Sequence, residues 1–172
     1  LQPSFGRALI TCLARMNGHD VGTIANNPMV NGGAMDSKAA RKQIRFMELC
    51  DTFHIPMVFL VDVPGFMVGT HAEQLGTLRD GMRAVYVAMQ ASVPIFTVVI
   101  RKCYGMAGMA TCDKNQLDFK IAWPSAEWGS LPIEGGVAAA YRREIAGAED
   151  PAQRLHEIEE ELRRYASPFR TA

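Results

Sequence analysis

Three glycine-bearing segments hold the residues whose types and spacing could do chemistry: DVPGFMVGT (62–70), RKCYGMAG (101–108) and WPSAEWGSLPIEGG (123–136). The first contains Asp62-Val63-Pro64-Gly65, the D-x-x-G spacing of a nucleotide switch. The chain has no G-x-x-x-x-G-K-[ST] loop to hold the phosphates such a switch senses. A G-x-G-x-x-G fingerprint is missing, and Ser37 and Ser125 lack the flanking glycines of a nucleophile elbow. His19, His54, His71 and His156 are scattered without H-E-x-x-H spacing, and Cys12, Cys50, Cys103 and Cys112 form no C-x-x-C pair. No protein-held metal is therefore expected, and the cysteines read as buried thiols of a reducing compartment. Glu127 and Glu134 flank a glycine-containing loop and could act as an acid/base pair, as in a hydratase. Isolated acidic loop residues are more often solvated or structural. What remains is glycine and alanine at strand-to-helix turns. Such turns expose backbone N–H groups, and the helix dipole adds partial positive charge where an oxyanion would sit, so backbone amides are the candidate catalytic groups.

The elements that must position these segments follow a repeated order of apolar run, glycine-rich loop and amphipathic helix. Leu9 to Met16 and Val21 to Ala25 read as strands around the turn Asn17-Gly18, an N-G hairpin signal. Residues 26–33 read as loop. Asp36-Ser37 offers N-caps for a helix to about Phe53, with Ile44, Phe46, Met47, Cys50 and Phe53 on its inner side. Met57 to Val61 and Pro94 to Ile100 are short continuous apolar runs, as expected of strands buried on both faces. Glu73 to Gln90 reads as one helix, and RKCYGMAG leads through two glycines into a small-residue helix. Phe119 to Ala122 reads as a strand, 123–134 as loop, Gly135 to Ile145 as a helix, and Asp150-Pro151 starts a charged helix to about Tyr165. Alternating strands and helices imply a parallel sheet flanked by helices. Ligand sites in such folds lie in loops beyond the carboxyl ends of strands, and 62–70, 101–108 and 123–136 fit that description.

Composition sets outer bounds. The 172 residues carry 18 Lys+Arg and 18 Asp+Glu, so the basic surplus of a nucleic-acid binder is absent. Apolar residues are 48% and charged residues 21%, ordinary for a soluble globular domain. The longest apolar runs, such as PIFTVVI, fall far short of the ~20 residues of a membrane helix. The start LQPSFGRALI is neither a signal peptide nor a Met start, and the chain reads as a domain cut from a longer protein.

Four stretches carry a family resemblance: RMNGHDVGTIANNP (15–28), SKAARKQIRFMELCDTFHIPMVFLVDVPGFMVG (37–69), SVPIFTVVIRKCYGMAGMA (92–110) and AWPSAEWGSLPIEGGVAAAYRREI (122–145). In order and spacing they resemble the C-terminal half of the carboxyltransferase (beta) subunit of biotin-dependent acyl-CoA carboxylases, the propionyl-, acetyl- and methylcrotonyl-CoA types. The resemblance implies an α/β crotonase-like (ClpP/crotonase) fold, a twisted sheet flanked by helices, with residues 1–172 as the biotin-side domain. It implies carboxyl transfer from carboxybiotin on a carrier protein to the α-carbon of an acyl-CoA, with two oxyanions to stabilise, the biotin ureate and the thioester enolate. The same fold also hosts biotin-dependent decarboxylases and transcarboxylases, and a non-catalytic assembly half is a third alternative.

By the same resemblance, the backbone N–H groups of Met106 and Ala107, after Tyr104-Gly105, form the oxyanion hole. The family commonly reads Y-G-G-A where this chain reads Y-G-M-A, and methionine there is costly only if the position needs φ > 0. Pro64, Gly65, Phe66 and Gly69 would shape the biotin entrance, Tyr104 and Gly108 the substrate site, and Met109 the wall that selects acyl length. Arg101 and Lys102 would orient the loop or face a partner half. Implied partners are an N-terminal carboxyltransferase half, a biotin carboxylase and biotin carrier subunit, and further copies of the subunit, as a dimer of facing halves or a hexamer. A cytoplasmic or other reducing location is expected, with neither nucleic acid nor membrane as partner.

Overall fold

A computed structural model describes residues 1–111, 119–167 and 169, apart from the side chain of Glu134. The chain opens with a hairpin of β1 (Leu9–Met16) and β2 (His19–Asn26), antiparallel, with Met16 opposite His19. Asn17 and Gly18 turn it, both at positive φ, as the N-G pair predicts. A single 3-10 turn, Asn31–Gly33, interrupts the expected loop before α1 (Ser37–Thr52). Asp36 caps α1 by accepting the Ala39 N–H at 2.7 Å. Ile44, Phe46, Met47 and Cys50 face inward as their spacing predicts. Phe53 does not. It lies past the last turn of α1, beside His54 at φ +54°, and is 69% exposed.

β3 (Met57–Val63) follows, then α2 (Thr70–Gln74) and α3 (Thr77–Gln90). The single helix expected over 73–90 is broken because Gly76 adopts a left-handed conformation (φ +74°). β4 (Ile95–Tyr104) runs four residues longer than its apolar core and feeds directly into α4 (Gly105–Met109). β5 (Phe119–Ala122) and β6 (Glu127–Gly129) both pair parallel to β4, end to end along one edge. The segment expected as loop over 123–134 therefore contains a strand, and two extra residues at the turn between β5 and β6 shift the register. α5 (Ile133–Ala140), α6 (Arg142–Ala146) and α7 (Pro151–Ala166) complete the order, with α5 and α6 split at Tyr141. Asp150 caps α7, accepting from the N–H groups of Ala152 and Gln153 at 3.0 Å.

The sheet runs β1-β2-β3-β4-β5, parallel except for the opening hairpin. The main core lies between one sheet face and helices α1 and α3, with Ile24, Phe59, Met47 and Ala84 at its centre. Gly22 is required there, since a Cβ would run into Cys50 Sγ. A smaller cluster of Ile133, Val137, Ile158 and Ala166 joins α5 to α7. Burial pushes the Cys50 thiol up to about 11, so it is an inert packing group. Cys12, Cys50 and Cys103 form no disulfide; Cys112 lies outside the described residues.

Candidate functional site

The sheet brings the three glycine segments together at one end. Val63, the last residue of β3, pairs with Cys103 of β4, so the loop 64–69 and the turn 104–109 leave neighbouring parallel strands at the same level. Between Val61 and Val63 the register slips, because β4 bulges at 100–102 opposite Asp62. Asp62 holds that bulge. Its carboxylate receives both Nε (3.1 Å) and Nη2 (3.0 Å) of Arg101 and the Lys102 N–H (3.2 Å). This two-pronged pair raises the Arg101 pKa, chiefly through the hydrogen bond and then through the charge of Asp62. Asn26 of β2 accepts the Asp62 N–H at 3.1 Å, so three adjacent strands are tied at their carboxyl ends.

The turn after β4 is tight. Gly105 takes φ +58°, and a Cβ on it would sit 3.3 Å from the Ser130 carbonyl. The left-handed residue is thus Gly105. Met106 lies inside α4 and is not among the residues of positive φ, so the Y-G-M-A sequence meets no backbone penalty at its methionine. The first N–H groups of a helix have no partner within it, and those of Met106 and Ala107 find no acceptor among the described residues. Met106 is half-buried, whereas Ala107 has no exposed surface. Gly108 is also buried, and a Cβ there would lie 2.9 Å from Cys103 Sγ. Met109 is exposed.

Tyr104, expected at the substrate site, is only 2% exposed. Its ring packs against Gly129, and its hydroxyl donates to Glu127 Oε2 at 3.0 Å. Tyr104 therefore wedges β6 against the turn, and Glu127 is the acceptor that fixes it. The Glu134 side chain, the other half of the acid/base pair considered from sequence, lies outside the described residues.

In the 64–69 loop, Gly65 (φ +141°) and Gly69 (φ +110°) adopt glycine conformations. Phe66 bridges to Met35, and the Met67 N–H donates to the Met35 carbonyl at 2.8 Å. The Phe66 ring lies over Gly81 of α3, where a Cβ would come within 2.8 Å. Pro64, Gly65 and Phe66 are half-buried, while Met67, Val68 and Gly69 form the open tip. The side-chain acceptor Asp62, the Tyr104–Glu127 bond and the strand β6 were not singled out as site features from sequence. Asp62 had a legible signal, an acid ending an apolar strand with Arg101 and Lys102 ending the next.

Among the described residues, no group of three or more His, Cys, Asp or Glu is placed to hold a metal, and no helix is long and apolar enough to cross a membrane. The candidate site is an assembly of backbone N–H groups and an apolar loop, with Asp62 and Glu127 hydrogen-bonded within the fold.

The carboxyl transferase domain model matches residues 1–172. The propionyl-CoA carboxylase carboxyltransferase subunit of Haloferax mediterranei is 40% identical over 100% of the chain and 34% of its own length. The methylmalonyl-CoA carboxyltransferase 12S subunit of Propionibacterium freudenreichii subsp. shermanii is 40% identical over 98% of the chain and 33% of its own length. The chain thus spans about a third of the curated relatives it matches. A crystal structure of the hexameric transcarboxylase 12S, with methylmalonyl-coenzyme A and methylmalonic acid bound, superposes with TM-score 0.84 at 41% identity, covering 95% of this chain and 32% of that one. A single-chain, multi-domain long-chain acyl-CoA carboxylase superposes with TM-score 0.81 at 32% identity, over 99% of this chain and 17% of that one. The fold is the crotonase-like fold of these carboxyltransferases, and the chain belongs to the carboxyl transferase domain family.

Proposed function

We propose that the protein carrying this chain moves a carboxyl group from carboxybiotin, presented on a separate carrier, to the α-carbon of an acyl-CoA, and that this chain is the biotin-side domain. The observation that carries this reading is the turn at Gly105. It starts α4, whose Met106 and Ala107 N–H groups have no acceptor among the described residues, at the end of the sheet where the open loop tip of Met67 and Val68 also emerges. Those residues fit a flat, nearly neutral urea ring that becomes negative on oxygen. Carboxybiotin supplies the carboxyl group and, once that group has left, a urea nitrogen able to take the α-proton of the thioester. This chain then need supply no side-chain base. Its task is to hold the turn rigid so that the Met106 N–H, backed by the partial charge of α4, meets the developing oxyanion.

Surfaces left open agree with a domain that works inside a larger protein. Ile10, Phe96, Phe119 and Ile121 lie in neighbouring rows of the sheet face opposite α1 and α3, each more than 40% exposed. A largely parallel sheet normally has both faces covered. Leu78, Met82, Tyr86 and Met89 form a second exposed stripe along α3. An N-terminal carboxyltransferase half and further subunits are the coverings this reading assigns.

A reverse direction has its own support: the alpha subunit of methylmalonyl-CoA decarboxylase from Propionigenium modestum is 39% identical over 99% of the chain. Direction would then be set by the other components, not by this domain. The test is reconstitution of the full-length protein with a carboxylated biotin carrier and a panel of acyl-CoA thioesters. Carboxyl transfer to a thioester, or from a malonyl-type thioester back to biotin, is expected. Absence of transfer in both directions would sink the proposal, and full activity in Ala107→Pro would remove Ala107 as a donor.

A further inference from the structure

The groove between α1 and α3 collects charge away from the Gly105 turn. Arg41 and Arg45 stand one turn apart on α1, Arg79 and Arg83 one turn apart on α3, and the four guanidinium groups line a cavity of about 490 Å³. The carboxylates in its lining are Glu48 and Asp80, so two positive charges are in excess. The sequence hides this cluster, because its arginines come from two distant helices and no basic run is longer than Arg142-Arg143.

Asp80 makes the groove a built feature. It is only 7% exposed and accepts from Ser37 Oγ at 2.6 Å. Arg41 reaches its Oδ2 at 2.7 Å and Arg79 its Oδ1 at 3.5 Å, each through Nε. Arg41 donates through its inner nitrogen, leaving its outer Nη fork for another acceptor. The buried carboxylate thus fixes the Arg41 head by a hydrogen bond and attracts the exposed Arg79 by charge alone. Arg83 has only a long contact to Glu48 (3.4 Å) and is 65% exposed in its side chain. Arg45 stacks its guanidinium over Phe5 at 5.8 Å, which orients the head without spending its charge. Neighbouring planar forks with excess positive charge suit an anion with several oxygens and more than one charge.

We infer that this groove binds a pyrophosphate-type anion, such as the diphosphate of a nucleotide. The inference does not rest on the carboxyl-transfer reading. Two sources share this chemistry, the phosphates of coenzyme A and a free nucleoside diphosphate.

The test is calorimetric titration of inorganic pyrophosphate into the full-length protein at low and raised salt. Saturable binding that weakens with salt is expected, and the double variant Arg45→Gln/Arg83→Gln weakens it about tenfold or more. Glu48→Gln removes a competing carboxylate and tightens binding, a gain that a misfolded variant would not produce. Competition by coenzyme A identifies the substrate's phosphates as the occupant; competition by ADP without coenzyme A identifies a free nucleotide. No saturable binding, or binding unchanged in the double variant, overturns the inference. Pyrophosphate binding is read without turnover, so loss of binding leaves the transfer reading standing and loss of transfer leaves the anion site standing.

Discussion

Asp62 and Asp80 are both carboxylates of low exposure, 14% and 10% in their side chains, and both bind arginine, yet they close differently. Asp62 takes Arg101 through Nε and Nη2 together and adds a backbone N–H, so the fork is consumed and β4 is pinned. Asp80 takes Arg41 by Nε alone, adds a hydroxyl and has Arg79 only at ion-pair distance, so the Arg41 fork stays open. The first arrangement steadies a site built of backbone; the second presents side chains. The same residue pair, Asp and Arg, therefore pins backbone at one end of the molecule and leaves a guanidinium fork open on the helical face. Which nitrogens are used decides which.

The largest test of the contrast is at the turn that Asp62 steadies. Met106→Pro removes an N–H at the second position of α4, where proline is tolerated. Loss of one oxyanion donor of this kind lowers kcat about 10²–10³-fold. Steady-state turnover of the reconstituted full-length protein checks it, with KM for the acyl-CoA expected to change little. A fall in stability with unchanged kcat would mean that the clamp serves folding only.

Next comes the close approach beneath the clamp. Gly33 has φ +86°, and a Cβ there would lie 2.5 Å from the Asp62 carbonyl oxygen. Gly33→Ala combines left-handed strain with a backbone clash and costs about 2–4 kcal/mol in urea unfolding. Asp62 itself follows. Asp62→Asn keeps an acceptor for the Lys102 N–H and costs about 1 kcal/mol. Asp62→Ala leaves both Arg101 and Lys102 short of a partner and costs about 2–3 kcal/mol. Equal losses in the two variants would show that the charge pair, not the bulge, is what Asp62 holds.

Much of this layout could be read from the sequence because apolar runs and turn residues are local signals. The hairpin at Asn17-Gly18, the caps Asp36 and Asp150, and the strands from Met57 and Ile95 fall where patterning puts them. The breaks at Gly76 and Tyr141 escaped because residues on both sides keep helical spacing, and only the backbone dihedral reveals the stop. β6 escaped because Glu127-Trp128-Gly129 is too short for a period, and β4 alone supplies its partner. At the site, Gly105, Met106 and Ala107 were legible through their glycine-alanine composition and family likeness. The burial of Tyr104 and Ala107 was not, since neither composition nor spacing reports what packs over a turn. The arginine groove is the extreme case, assembled from residues of α1 and α3 that no sequence window contains.

The smallest effect separates the two carboxylates by proton rather than by mutation alone. Burial would push the Asp80 carboxyl up, but hydrogen bonds from Ser37 and Arg41, together with the charges of Arg41 and Arg79, win and hold it below its ordinary value. An acid whose folded pKa lies below its unfolded value stabilises the fold above the unfolded value, and that contribution is lost as pH falls through the folded pKa. The loss attributable to Asp80 therefore falls in the most acidic part of the stability profile, below the ordinary carboxylate range. Urea midpoints measured across that limb should fall less steeply in Asp80→Asn than in the parent chain, while Asp80→Asn is the less stable protein near neutrality. Parallel limbs for the two proteins would mean that Ser37 and the arginines do not hold Asp80 ionised. The open Arg41 fork proposed for the groove would then lack its anchor, and pyrophosphate binding should be insensitive to the same substitution.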